Sequence, residues 1–160
     1  MRILPLVALA LGSCVGTATI SATSGLSQHE LSAIPKGATE VIIIGEDRSQ
    51  LYERIVDALI QRGHRINRED KERFYVTTEG KDVGESTLQR MTIVVNEDSK
   101  AVIKSEWMPG QEAVSMATAL SGIPQSASWS KASFEGGRSG IAYAEAVAVG
   151  KLTGFAIEYR

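Results

Sequence analysis

The apolar positions between residues 39 and 62 follow a strand pattern first and a helical pattern after it. Residues 39–44 (TEVIII) form a continuous apolar, β-branched run, which is typical of a well-covered strand. Four apolar residues then recur at helical spacing and predict an amphipathic helix over residues 48–62. They are Leu51, Ile55, Val56 and Leu59. Asp47 stands at the N-cap position of this helix and Gly63 at its C′ position, where these residue types are favoured.

A period of two dominates the middle of the chain and predicts antiparallel strands. Residues 64–68 form a short strand in this interpretation, and residues 73–78 (RFYVTT) form a second, aromatic and β-branched one. Residues 88–96 and 101–107 alternate on either side of a polar turn, which predicts a hairpin.

The last third of the chain begins irregularly and ends in a second helical pattern. Residues 111–120 indicate a short helix and residues 129–134 a last strand. Apolar residues at three-four spacing predict a long helix over residues 141–159, with Ser139 as its N-cap. A row of small residues in this helix predicts close packing against a neighbouring element. The row consists of Ala142, Ala146, Gly150 and Gly154.

The order of these elements predicts the fold class. A strand, a helix, several antiparallel strands and a final helix indicate an α+β fold of two layers. We expect a mainly antiparallel sheet with one internal helix and a long C-terminal helix packed on one face.

The first residues form a segment of a different kind. Met1-Arg2 carries positive charge, residues 3–11 are apolar apart from Pro5, and Gly12-Ser13 precedes the single cysteine, Cys14. The apolar run is shorter than the roughly 20 residues that a membrane-spanning helix needs, and it has the parts of a signal peptide.

Leu-Gly-Ser-Cys resembles the lipobox of bacterial lipoproteins. The resemblance implies cleavage before Cys14 and acylation of its thiol, so that residues 1–13 are a lipoprotein signal peptide. Val15, rather than Asp, follows the cysteine, which by the same resemblance implies the outer membrane. An ordinary secretory signal and a cytosolic N-terminal strand are the alternatives.

The residues after Cys14 are rich in Ser, Thr, Ala and Gly without sustained periodicity. They predict a lipid-anchored flexible tether over residues 14–38. Residues 39–160 then form a single α+β domain. Its order of elements resembles the helix-grip arrangement of small envelope lipoproteins, such as the C lipoprotein of the outer-membrane β-barrel assembly machinery. That resemblance transfers no functional residues.

Charge and composition narrow the classes of ligand. The 160 residues carry a formal net charge of −2, so we expect no nucleic-acid partner. With two histidines and one cysteine, a zinc site is not expected, and nothing in the sequence indicates a cofactor.

Motifs that would indicate catalysis are incomplete. His29-Glu30 lacks the second histidine of a zincin motif, because Ala33 holds that position. The segment 136–140 (GGRSG) is either a weak anion site at a helix N-terminus or a flexible connection, and it is no P-loop. No serine lies in a GxSxG frame. We therefore expect no enzyme and assign no catalytic residue.

Three aromatic residues are the candidates for ligand contact. Trp107 ends a predicted strand, and Trp129 and Phe134 flank a loop-rich region. They either line a cleft for an apolar or peptide ligand or close the core at the sheet edge. The expected function is that of a non-enzymatic outer-membrane lipoprotein that binds a partner protein, an envelope component or a small apolar ligand. The alternatives are a structural accessory subunit of an envelope complex and an envelope hydrolase.

Overall fold

The structure of the protein is a computed structural model that describes residues 16–160. The predicted signal peptide and the lipidation site at Cys14 lie outside the described residues. The helices are α1 (Thr17–Ser24), α2 (Gln28–Ser32), α3 (Arg48–Gln61), α4 (Gln111–Ser121) and α5 (Gly137–Leu152). The strands are β1 (Glu40–Ile44), β2 (Ile66–Asp70), β3 (Tyr75–Thr78), β4 (Lys81–Asp82), β5 (Thr87–Val95), β6 (Lys100–Pro109), β7 (Ser130–Lys131) and β8 (Ala156–Tyr159).

The strands form one antiparallel sheet in the order β2-β3-β5-β6-β1-β8, with β4 on β5 and β7 on β6. The long β5–β6 hairpin lies at its centre, and β1 and β8 extend it on one side. This arrangement confirms the predicted α+β class with a mainly antiparallel sheet.

Helices α3 and α5 pack on the same side of this sheet. Every residue of α5 from Gly140 to Gly150 is buried, so this helix is surrounded by other parts of the protein. The small-residue row explains how the helix approaches the sheet. A Cβ atom on Gly150 would lie 3.2 Å from Ile157 Cδ1 and 3.5 Å from Val41 Cγ1. A larger residue there would force β1 and β8 away from α5.

The N-terminal region differs from the expected tether over residues 14–38. Helices α1 and α2 fold back on the domain, and four apolar side chains of this region join the main core. One comes from each helix, one from the connection between the helices and one from the turn after α2. They are Ile20, Leu26, Leu31 and Ile34. Ser27 and Glu30 form a capping box that begins α2. The Ser- and Thr-rich composition hid this result, because a few scattered apolar side chains are enough to anchor two short helices on the core.

The C-terminal helix is shorter than the predicted 141–159. It ends at Leu152, and Gly154 turns the chain with φ +78°. Phe155, Ile157 and Tyr159 then pack against the core as alternate residues of the β8 region. Three apolar positions two residues apart fit a strand, and pairing of β8 with the free edge of β1 satisfies the backbone of both.

The other elements follow the sequence closely. Asp47 caps α3 by accepting a hydrogen bond from the Gln50 amide at 2.7 Å, and Gly63 has the expected positive φ of +77°.

Two predictions for residues 129–139 differ from the structure. The expected strand over residues 129–134 is reduced to β7. Ser139 lies inside α5, whose N-cap is Gly136, and its hydroxyl accepts from the Ser133 amide at 2.8 Å.

Candidate functional site

The three aromatic residues proposed for a cleft lie at separate places in the fold. Trp107 belongs to the core-facing side of β6, and Phe134 packs beside Tyr143 of α5 with ring centroids 6.0 Å apart. Trp129 lies on the opposite side of the sheet, where the Arg90 guanidinium stacks 4.4 Å from its ring centroid. The structure therefore does not bring the three rings together around one space.

The interface between the sheet and α5 is filled by side chains. Tyr143 and Ile141 are almost wholly buried there, and the Tyr143 hydroxyl donates to the Glu40 carbonyl oxygen at 3.0 Å. Gln89 Nε2 donates to the Ala142 carbonyl oxygen at 2.6 Å. This filled interface favours a role for the protein's outer surfaces over an internal ligand site.

A charged cluster lies where α5 meets the end of α3 and β4. Glu145 of α5 is 3% exposed and pairs with the guanidinium of Arg62. His64 Nε2 lies 2.9 Å from Glu145 Oε1, and Lys81 Nζ lies 3.3 Å from the same oxygen. One buried carboxylate thus contacts three basic side chains, which come from the end of α3, from the connection after it and from β4.

The electrostatics of this cluster indicate a structural clamp. Burial raises the pKa of Glu145, but hydrogen bonds from His64 and Arg62 and the charges of Arg62 and Lys81 outweigh it and lower the pKa to about 2. The carboxylate is therefore ionised at neutral pH and fully engaged. The carboxylate thus links α5 to Arg62, His64 and Lys81.

The sequence contains one indication of this cluster, which is easily overlooked within the apolar pattern of the helix. Glu145 is a single acid within an otherwise apolar and small-residue stretch of α5, and a buried charge requires partners. Its partners come from positions 62, 64 and 81, which sequence spacing alone does not bring together.

A groove of about 370 Å³ lies between α3 and the β2–β3 hairpin. We call it the α3 groove. Its lining consists of Ser49, Tyr52, Glu53, Val56, Asp57, Glu69, Lys71 and Phe74. Tyr52 and Phe74 meet edge to face with ring centroids 5.6 Å apart. The groove therefore combines two aromatic rings with an acidic rim.

The aromatic side of the α3 groove is held firmly. The Tyr52 hydroxyl lies 3.1 Å from the Tyr75 carbonyl oxygen and 3.3 Å from Glu69 Oε1. Burial and the Glu69 charge raise the pKa of Tyr52 to about 12, so the hydroxyl remains a donor. The Arg48 guanidinium lies 4.2 Å from the Phe74 ring centroid.

Phe74 also has an unusual backbone conformation. Its φ is +51°, in the left-handed region that a bulky residue adopts at a cost of about 1–3 kcal/mol. Such conformations persist where the surroundings impose them. Here the ring contacts with Arg48 and Tyr52 fix Phe74 against the groove.

The charge of the α3 groove is uneven. Glu53 and Asp57 project from α3 and are exposed, and Glu69 comes from β2, whereas Lys71 is the one basic residue of the lining. Lys71 Nζ lies 3.9 Å from Glu69 Oε1. Glu69 lies in β2, and only the tertiary fold sets this strand beside α3.

Within residues 16–160, no group of three or more His, Cys, Asp and Glu side chains is arranged to hold a metal ion. No helix in this same range has the length and apolar character needed to cross a bilayer.

Comparison with known proteins gives no family assignment. No protein-family model matches the chain, and no curated protein matches it.

Proposed function

We propose that the chain is a non-enzymatic, lipid-anchored protein of the bacterial outer membrane, and that its domain binds a protein partner of the cell envelope. The α3 groove is the observation that supports this proposal best. It is the place where aromatic surface and unneutralised acidic charge lie together.

The chemistry of the groove fits a lysine or arginine side chain of the partner. Such a side chain has an apolar stem and a cationic head. The stem would lie against Tyr52 and Phe74, and the head would meet the carboxylates of Glu53 and Asp57. Partial burial strengthens such pairing relative to a fully exposed ion pair.

The arrangement of the titratable groups supports a non-enzymatic role. The Glu145 carboxylate is buried and occupied by Arg62 and His64. The lining of the α3 groove includes Ser49 but no histidine, so the groove has no serine–histidine pair of the kind that activates a hydrolase nucleophile.

Zero-length carbodiimide coupling in intact envelopes tests the groove, because the reagent joins a carboxylate to an amine in direct contact with it. We expect the full chain to form a covalent adduct with a lysine-bearing partner, and the double substitution Glu53→Gln/Asp57→Asn to lose most of it. The matched control is Glu97→Gln/Asp98→Asn, which removes two acids from the exposed β5–β6 turn. An adduct that persists in the groove variant would exclude this site.

The lipid anchor needs a separate test. The substitution Cys14→Ser is expected to abolish acyl labelling and to release the protein from membranes. Unchanged labelling and retention would contradict the lipoprotein proposal, whatever the coupling experiment shows.

A further inference from the structure

Helix α4 exposes an apolar stripe. Met116 is 65% exposed, Leu120 83% and Ile123, just beyond the helix, 63%. The spacing of four residues places Met116 and Leu120 on one side of the helix, and Ile123 follows the left-handed turn at Gly122. None of the residues of α4 is buried, so the domain gains little from this stripe.

Helix α4 is amphipathic and carries almost no charge. Its one charged residue is Glu112, in the first turn, and it has no lysine or arginine. The partly buried Ala113 and Val114 face the domain, and the Ala113 amide donates to Ser86 Oγ at 3.4 Å. The helix is thus attached at its beginning.

The attachment point of α4 lies close to the start of the described chain. The Gly110 amide donates to the Ser86 carbonyl oxygen at 2.7 Å. Two residues earlier, a Cβ atom on Gly84 would lie 2.7 Å from Thr23 Cγ2 of α1. Gly16 precedes Thr23 by seven residues, about 10 Å along a helix. The first described residue and the beginning of α4 therefore share one end of the molecule.

No tether separates Gly16 from the domain, because α1 begins at Thr17. Cys14 precedes Gly16 by two residues, which span at most about 7 Å. An acyl chain at Cys14 would therefore hold this end of the domain against the headgroups, within reach of α4.

We propose that the exposed stripe of α4 enters the headgroup region of the bilayer that carries the lipid anchor. This inference rests on the proposed acylation of Cys14. Interfacial helices bury their apolar side by about 5–10 Å, and α4 differs from the usual ones in having no basic residue on its polar side. Because α4 has no basic residue, the contact is apolar, and we expect it to be insensitive to salt and to anionic lipid.

Depth-dependent fluorescence quenching tests the inference on the full, membrane-extracted chain. The variant Leu120→Cys would be labelled with an NBD fluorophore, since acylation leaves Cys14 without a free thiol. Ile60→Cys is the matched control, because Ile60 is an apolar residue of α3 that is 60% exposed. Both are reconstituted into phosphatidylethanolamine–phosphatidylglycerol vesicles containing nitroxide-labelled lipid.

The expected result is loss of most NBD fluorescence at position 120 and little loss at position 60, unchanged at high salt. Acylated protein with equal, weak quenching at both positions would overturn the inference alone. Protection of position 120 from aqueous iodide without nitroxide quenching would mean that protein covers α4, and would also overturn it. Mass spectrometry that finds no acyl group on Cys14 would overturn the proposed function and this inference together.

Discussion

At the scale of single residues, Glu145 is the buried carboxylate that brings three basic side chains together. It is an acid in a helix whose neighbouring residues are all buried, and it contacts Arg62 from the end of α3, Lys81 from β4 and His64 from the chain between them. The α3 groove is also a residue-scale feature, since it depends on the positive φ of Phe74 and on the cation–π contact with Arg48.

Replacing the Glu145 carboxylate should destabilise the fold without changing its shape. Glu145→Gln removes the counter-charge of Arg62 and Lys81, and breaking one side of a buried pair costs about 3–5 kcal/mol. Because Arg62 and Lys81 are 25% and 29% exposed and can turn towards water, we expect the lower end of this range. Urea unfolding measures it, with the exposed Glu158→Gln as a control that should change little.

The same carboxylate predicts a pH dependence. The folded pKa of about 2 lies below the usual 4.5, so its contribution to the free energy of unfolding is complete above about pH 4.5 and is lost as the pH falls towards 2. The stability difference between wild type and Glu145→Gln should therefore shrink over this window. Parallel stability curves from pH 6 to pH 2 would contradict the assignment.

At the scale of elements, local pattern succeeded where an element was long and strongly periodic. Helix α3 and the β5–β6 hairpin follow their predicted positions. The failures were the short helices α1 and α2, whose eight and five residues offer too few apolar positions to show a period. Their stability comes from packing, of α1 on α5 and of α2 on α1, rather than from helix propensity.

A test at this scale distinguishes a folded N-terminal region from a tether. Leu31 of α2 is 1% exposed, and truncation of a buried leucine costs about 2–5 kcal/mol. We expect Leu31→Ala to lower the free energy of unfolding accordingly, and the exposed Gln28→Ala to leave it nearly unchanged. Equal stability of the two variants would instead support the interpretation of this region as a flexible tether.

At the scale of the whole molecule, the last strand covers β1. Strand β8 pairs with one edge of β1, and β6 pairs with the other. The Arg160 guanidinium contacts the Glu40 carboxylate, and this hydrogen bond, against the opposing effect of burial, lowers the pKa of Glu40 below its usual range. The last residues thus cover an apolar strand that would otherwise be a sheet edge.

Removal of residues 155–160 should therefore expose β1. The truncated chain loses the packing of Phe155, Ile157 and Tyr159, and it leaves the EVIII segment free to pair with another copy. We expect a lower thermal aggregation temperature, measured by light scattering. Arg160→Ala, which removes only the ion pair, should aggregate much later; similar behaviour of the two would argue against edge exposure.

Local patterns in the sequence predicted the fold class, the internal helix and the central hairpin, because each depends on residues close together in the chain. The interpretation of Cys14 as an attachment site has the same local basis and stays a prediction. The sequence left open whether Trp107, Trp129 and Phe134 line a cleft or close the core, and the structure packs Trp107 and Phe134 against the core while Trp129 lies on the other side of the sheet. The tertiary contacts place Ile20, Leu26, Leu31 and Ile34 in the core, make residues 156–159 a strand, and bring Glu53, Asp57 and Glu69 to one groove. These features depend on contacts between distant segments, and no local period encodes which distant segment a side chain will meet.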